Sequence, residues 1–589
     1  MQHIYLEPNK KLLDPTFSGY KLSLEPVPVH ESALPVEVEH ILPNDDQYSF
    51  LHMRLFSLHN HLFIDQWNNQ YVYFFNKHRE VVCSVLNKIS GNLTGVVKVY
   101  QFLDTMPSKP LVNPSLSFVS EELALASDGC KKLYLLHTGL RESDAQSWNV
   151  LFEEEIMAEE IGFIILDSQN SRTQREISCV LLSVVDSKSM ELRTESSSED
   201  ASKFVSFLNV ITLAADESKR WALKSKKQLY CAGEIEYAAV EKDLSHLSTI
   251  SKESLHFSFD SERPVLAEHR AEEPNQNGIK KVEYYWQQTS DDITIWFNIP
   301  SDTLSNQISV NVQDSELKVE CVDKVLLQGS LHSSVFENLT TWTLDKNKLE
   351  VNLSKYESGL MWPCVIRNNL SGEEVMDPEL VQEIHERLAH LCSETEVKAK
   401  DIGDMCAPTF NMDQLEECDA ISNDTRLLSR INTSSHSFTH QASLSGSQWL
   451  FNGIVSPDQG QGFCLRHDVD GCFWIPKADS NNSWKCEHIA TFLALGYVQA
   501  SKQQKKFIVC PPDFSYAAIC ETTRHVYLYK QSCSLSSELR NRKTGSRIGA
   551  VAKQHLINLP SSEEVLGVQA NEKSLFVLTT AHLYSLNIV

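Results

Sequence analysis

The chain predicts an all-β molecule: a β-propeller of about seven divergent blades, split four and three, with an antiparallel β-sandwich inserted between the parts and a short amphipathic helix behind it. Three observations carry this. Between Val282 and Ile366 apolar residues alternate with polar ones in one short run after another, the pattern of strands with a single buried face. On either side of that stretch one unit keeps returning: an apolar strand, a short polar connection, and a strand rich in leucine and tyrosine. Polar, poorly patterned sequence borders the sandwich on both sides, as linkers do.

In chain order, residues 1–29 are an N-terminal segment and 30–260 the first part of the propeller. A linker at 261–281 leads to the sandwich at 282–367, then come a helical stretch at 368–396, a second linker at 397–440, and the rest of the propeller at 441–589. Four hairpins precede the sandwich: 62–65 with 71–74, 123–126 with 133–136, 180–185 turning at Asp186-Ser187-Lys188, and 247–250 with 255–257. Three follow it: 463–466 with 472–475, 517–520 with 526–529, and 575–578 with 583–586. A repeated hairpin is the signature of a propeller, in which each blade buries its faces on its neighbours. The spacing exceeds the ~40–45 residues of a WD repeat, and no Trp-Asp dipeptide occurs. Several unrelated β-domains are the alternative; one closed ring has the physical advantage of removing strand edges.

Within the sandwich Ile293, Ile295, Phe297 and Ile299 share one face of a strand that Pro300 ends, because proline donates nothing to a ladder. Ile308/Val310/Val312, Leu317/Val319/Cys321, Trp342/Leu344 and Leu349/Val351/Leu353 repeat the alternation. The connectors differ in kind. Residues 195–200 are a polar loop within a blade, and Pro264, Pro274 and Gly278 mark a flexible lead-in to the sandwich. Asp377-Pro378 is a helix start, and Leu380, Ile384, Leu388 and Leu391 make 378–394 amphipathic.

Composition narrows the function. A net charge of −25 over 589 residues argues against a general nucleic-acid binder, which needs lysine and arginine to displace counterions. No run of 18 apolar residues occurs, so no membrane span or membrane partner is expected, and the N-terminus lacks the order of a signal peptide. Fifteen scattered cysteines with no Cys-x-x-Cys pair read as reduced thiols of the cytoplasm or nucleus. No nucleotide loop, nucleophile elbow or zinc-protease motif is present, so neither catalytic residues nor cofactors are expected. Cys464, His467, Asp468, Asp470, Cys472, Cys486 and His488 lie close in sequence, but their intervals suit a β-hairpin better than a tetrahedral zinc site. Arg540-Asn541-Arg542-Lys543 with Arg547, and Lys502 with Lys505-Lys506, read as solvated hairpin tips, with nuclear import or phosphate contact as the sharper alternative.

Tyr284-x-Trp286-x-Gln288-Thr289, then Gly329-x-Leu331, Thr341-Trp342-x-Leu344, Leu349-x-Val351-x-Leu353-x-Lys355 and Trp362-Pro363 resemble the CS domain, in its NudC branch. Motifs in order over the whole module are more specific than any single tripeptide. Flanking runs such as 12–15, 19–26, 464–470 and 487–502 extend the resemblance to a long member of that branch over essentially the full length. The resemblance implies a co-chaperone that binds or stabilises client proteins, often β-propellers, beside heat-shock protein 90. Most of the family positions, Tyr284, Trp286, Thr289, Gly329, Trp342 and Trp362, are expected to maintain the fold. Gln288 and Lys355, being polar, are the expected partner contacts. Trp296 lies on the polar side of its strand, and is either covered by the linker or helix or touches a partner. A propeller scaffold with the sandwich as a docking arm is the second functional reading.

Overall fold

A computed structural model describes residues 2–102, 111–141, 147–157, 161–188, 203–265, 284–374, 426–478, 483–540 and 547–588, apart from short breaks within these spans. The chain divides into two units, residues 1–266 with 402–589, and residues 267–401.

The first unit is built from seven sheets in sequence order. Phe63–Ile64, Tyr71–Phe75, Glu80–Val85 and Val97–Gln101 make the first blade, and Ser115–Phe118, Leu123–Ser127, Lys132–His137 and Asn149–Glu155 the second. Ile164–Asn170, Glu176–Asp186, Phe204–Ala215 and Trp221–Cys231 make the third. The fifth, sixth and seventh blades start at Trp449–Gly453, Lys505–Val509 and Val565–Ala570. One apolar cluster fills each junction between consecutive blades. The last of these sets Leu566, Phe576, Leu578 and Leu583 of the seventh blade against Leu62, Val72, Phe74 and Val82 of the first. Burying each such side chain contributes about 1.5–3 kcal/mol. Hydrogen bonds seal the same junction: His61 N–H to Leu566 O at 3.1 Å, and Gln569 Nε2 to Leu62 O at 2.8 Å. The ring is closed.

The fourth blade is shared between the two stretches of the chain. Ile235–Val240 and His246–Ser251 come before the second unit, and Leu427–Asn432 and Ser437–Ser443 after it. His246–Ser251 pairs antiparallel with Leu427–Asn432, so in sequence the second unit is inserted between two paired strands of one blade. This corrects two expectations. The 247–257 stretch is not a hairpin, because His256–Asp260 leaves to become a fifth strand of the third blade. Residues 427–440, expected within a linker, are blade strands; their alternation is short and their partner lies far upstream in sequence.

The N-terminal segment is also structural. Gln2–His3 lies parallel to the outer strand of the fourth blade and Lys21–Leu22 to that of the sixth. Between them Asn9 N–H reaches His488 Nδ1 at 2.9 Å, and Tyr20 donates its hydroxyl to Leu493 O at 2.7 Å. Val29–Ala33, at the expected boundary between the N-terminal segment and the first part of the propeller, is the outer strand of the seventh blade. The expected helix 378–394 and the 195–200 loop fall outside the described residues, although the strands flanking that loop pair with each other.

The second unit contains two sheets. One has the order Thr341–Asp345, Lys348–Ser354, Asp292–Asn298, Tyr284–Gln288, Gly372–Glu374; the other is Ile308–Gln313, Glu316–Cys321, Lys324–Ser330. Between them lies one core: Tyr284, Trp286, Ile293, Ile295, Phe297, Leu317, Val319, Leu349, Val351, Leu353 and Trp362. The alternating residues point inward as their parity requires.

Candidate protein-binding site

Trp296 stands on the outer face of the larger sheet, opposite its buried neighbours Ile295 and Phe297. Register places Tyr285 and Glu350 directly beside it on the flanking strands. Its indole N–H donates to Glu350 Oε2 at 2.8 Å, and the Lys348 ammonium sits 4.7 Å from the ring centroid. Asn352 Nδ2 donates to Glu350 Oε1 at 3.2 Å, and its Oδ1 accepts from Thr294 Oγ1 at 2.7 Å. The Trp296 and Asn352 bonds, with the Lys348 charge, hold the Glu350 carboxyl below its usual range. Tyr285 is 39% exposed and Trp296 half-buried, so two aromatic residues occupy paired positions on one face, where Trp296, Glu350 and Asn352 are linked by hydrogen bonds. The Trp296 side chain is thereby fixed before a partner arrives, which lowers the entropy lost on binding.

Gln288 and Lys355 are elsewhere. Both are buried, 6% and 4% exposed, and their polar atoms are spent inside the sandwich. Gln288 Nε2 donates to Trp362 O at 2.8 Å, while its Oε1 accepts from Trp362 N–H at 2.7 Å and Lys355 Nζ at 3.0 Å. Lys355 also donates to Thr289 O at 2.7 Å. The expectation that these two contact a partner is thereby corrected: their polarity serves an internal lock, since a buried amide and ammonium need partners within the fold. Thr289 Oγ1 accepts from Asp292 N–H at 3.0 Å, fixing the turn into the next strand. Tyr284, Trp286 and Trp362 are core, and Trp342 packs against it. Gly329 has φ +153°, and a Cβ there would meet Ile366 Cγ2 at 2.5 Å. Sequence reasoning missed Tyr285, Lys348 and Glu350. Parity alone puts Tyr285 on the outer face, but only the strand register sets it beside Trp296.

The cysteines and histidines near residue 470 serve the blades. Cys464 joins the core between fifth and sixth blades and Cys472 the core between fourth and fifth, so they face opposite ways. His488 Nδ1 is held by the Asn9 amide and its Nε2 lies 2.9 Å from Ala490 O. Among the described residues Glu241, Asp243 and His246 form one close group of possible ligands, but Glu241 is engaged by Arg430 and Asp243 by His246 at 2.5 Å. Lys502 and Lys506 are not a solvated tip: Lys502 is 6% exposed, and Lys506 donates to Glu564 Oε1 at 2.8 Å. Residues 541–546 lie outside the described residues.

A family model for the CS domain matches residues 282–355. NudC domain-containing protein 1 of Mus musculus is 34% identical over 603 residues, covering 99% of this chain and 98% of that protein. Its counterpart in Xenopus tropicalis is 32% identical over 590 residues, covering 98% and 97%. Among solved structures, the Cps50 (Swd1) β-propeller domain of Myceliophteria thermophila aligns with a TM-score of 0.32 at 8% identity, over 90% of this chain and 96% of that domain. The ring described above rests on the chain's own strand pairings.

Proposed function

The chain belongs to the NudC domain-containing protein 1 family, and from that membership we propose that it is a co-chaperone or adaptor that captures client proteins without catalysis of its own. The observation that carries this is the outer sheet face of the CS domain, where Trp296 is held by Glu350 and Lys348 and Tyr285 is its cross-strand neighbour. Aromatic side chains on a preset polar face are what protein-binding surfaces favour. Clients of β-propeller type, work beside heat-shock protein 90, and a place in cytoplasm and nucleus belong to the same proposal. The resemblance of the CS motifs supports the first two and the scattered thiols the third.

In the full chain, Trp296→Ala and Tyr285→Ala should reduce suppression of client aggregation while leaving the melting temperature within about 1–2 °C of wild type. Undiminished suppression by the double variant would remove the sheet face from the proposal.

A second reading, the propeller as scaffold, is favoured by one observation. The helix Phe50–Ser57 buries His52, Leu55 and Phe56 on the ring yet leaves Phe50 and Met53 62% and 51% exposed, beside Tyr48 at 61%. Loss of partner capture on changing Phe50 and Met53 to serine, with Trp296→Ala silent, would transfer the function to the ring.

A further inference from the structure

Three stretches meet at one end of the sandwich: Thr289 with 291–292, 334–340 and 354–357. Phe336 N–H donates to Ser354 O at 2.9 Å, Tyr356 N–H to Ser334 O at 3.0 Å and Lys355 N–H to Asp291 O at 2.7 Å. Ser354 Oγ donates to Asp292 Oδ1 at 2.6 Å. This frame holds out three large apolar side chains, Phe336, Leu339 and Tyr356, at 42%, 57% and 63% exposure. The rings of Phe336 and Tyr356 lie 5.1 Å apart at 48°. A single exposed apolar residue is ordinary, but a group of three on one frame marks a contact surface.

The charge around them has one sign. The same stretches carry Asp291, Asp292, Glu337 and Glu357, all exposed. Their one basic residue is Lys355, whose ammonium is turned inward onto Gln288 Oε1 and Thr289 O. The lock that takes Lys355 out of solvent therefore leaves an apolar group rimmed by carboxylates.

We propose that this end of the CS domain is a docking surface for a basic amphipathic segment of a partner protein, one in which arginine or lysine is interleaved with leucine-like residues. The apolar side of such a segment covers Phe336, Leu339 and Tyr356. Its cations meet the carboxylate rim and the faces of the two rings. The net charge of −25 steers the same kind of segment from a distance. Phe336, Glu337, Leu339, Tyr356 and Glu357 lie outside the strands that carry the Tyr285–Trp296 face, so this surface stands or falls separately from the function proposed above.

The test titrates the full-length protein with two fluorescent synthetic peptides, an amphipathic leucine–arginine sequence and its leucine–glutamate counterpart, read by anisotropy. The basic peptide binds and the acidic one does not. Phe336→Ser with Tyr356→Ser, and separately Glu337→Lys with Glu357→Lys, weaken binding about tenfold or more. Glu7→Lys with Glu217→Lys changes net charge equally at two exposed carboxylates elsewhere and leaves affinity within about twofold, as does Trp296→Ala. Should the serine pair lower the melting temperature, the Glu337/Glu357 pair decides. Weakening by the Glu7/Glu217 control equal to that by the rim pair overturns the proposal, as does unchanged affinity in the rim variants.

Discussion

One amide joins three parts of the sandwich. Gln288 binds the backbone of Trp362 in both directions and accepts from Lys355, all in a site that excludes water. Gln288→Leu leaves a buried backbone donor and acceptor unpaired and takes one acceptor from a buried ammonium. It should cost about 3 kcal/mol, measured by denaturant unfolding of the CS domain within the full chain. A second residue reports on pH. Asp167, 6% exposed, accepts from Val240 N–H at 2.9 Å, and burial pushes its carboxyl up to about 7. The folded state thus binds a proton more tightly than the unfolded chain. The stability this contributes is complete below the ordinary carboxylate range near 3.8 and is lost as pH rises through about 7. The melting temperature of Asp167→Asn should therefore rise relative to wild type between about pH 5 and pH 8. A difference that stays constant with pH would show that Asp167 is already ionised at the lower value.

At the scale of the element, the fourth blade is the demanding one, because its two halves are far apart in sequence. Two ion pairs bridge them. Arg426 Nε bonds Glu236 Oε2 at 2.9 Å, and Arg430 bonds Glu241 through Nε and Nη2 at 2.9 and 2.8 Å. The Arg430 side chain is 1% exposed. Arg430→Ala should cost about 3–5 kcal/mol by stranding Glu241, whereas Arg430→Met with Glu241→Met should recover most of it, as thermal unfolding would measure. Elements whose strands are neighbours in sequence were legible beforehand: the hairpins at 123–136, 463–475, 517–529 and 575–586 all form. The 247–257 hairpin did not form because two apolar runs at hairpin spacing carry no record of which sheet each joins.

At the scale of the whole molecule, the first 33 residues act as a belt over the last four blades. They add outer strands to the fourth, sixth and seventh. Deleting residues 1–33 strips the seventh blade of its outer strand and exposes the edge at His582–Asn587, an unpaired template for aggregation. Such a truncation should lose the monodisperse peak on size-exclusion chromatography and fall in melting temperature. Persistence of both would mean that the junction between seventh and first blades is sufficient without the belt.

The alternation of apolar residues determined, without help, that the chain is all-β and that Trp296 lies on the face opposite the core, and the returning hairpin pointed to a propeller interrupted by a sandwich. Each is a local property, because strand periodicity assigns a side chain to one face or the other whatever its neighbours are. The belt, the sharing of the fourth blade and the placing of Tyr285 beside Trp296 were decided only in three dimensions. So was the inward turn of Gln288 and Lys355. These depend on register and pairing between stretches far apart along the chain, and a polar residue reads the same in sequence whether its partner is solvent, another protein or a buried carbonyl.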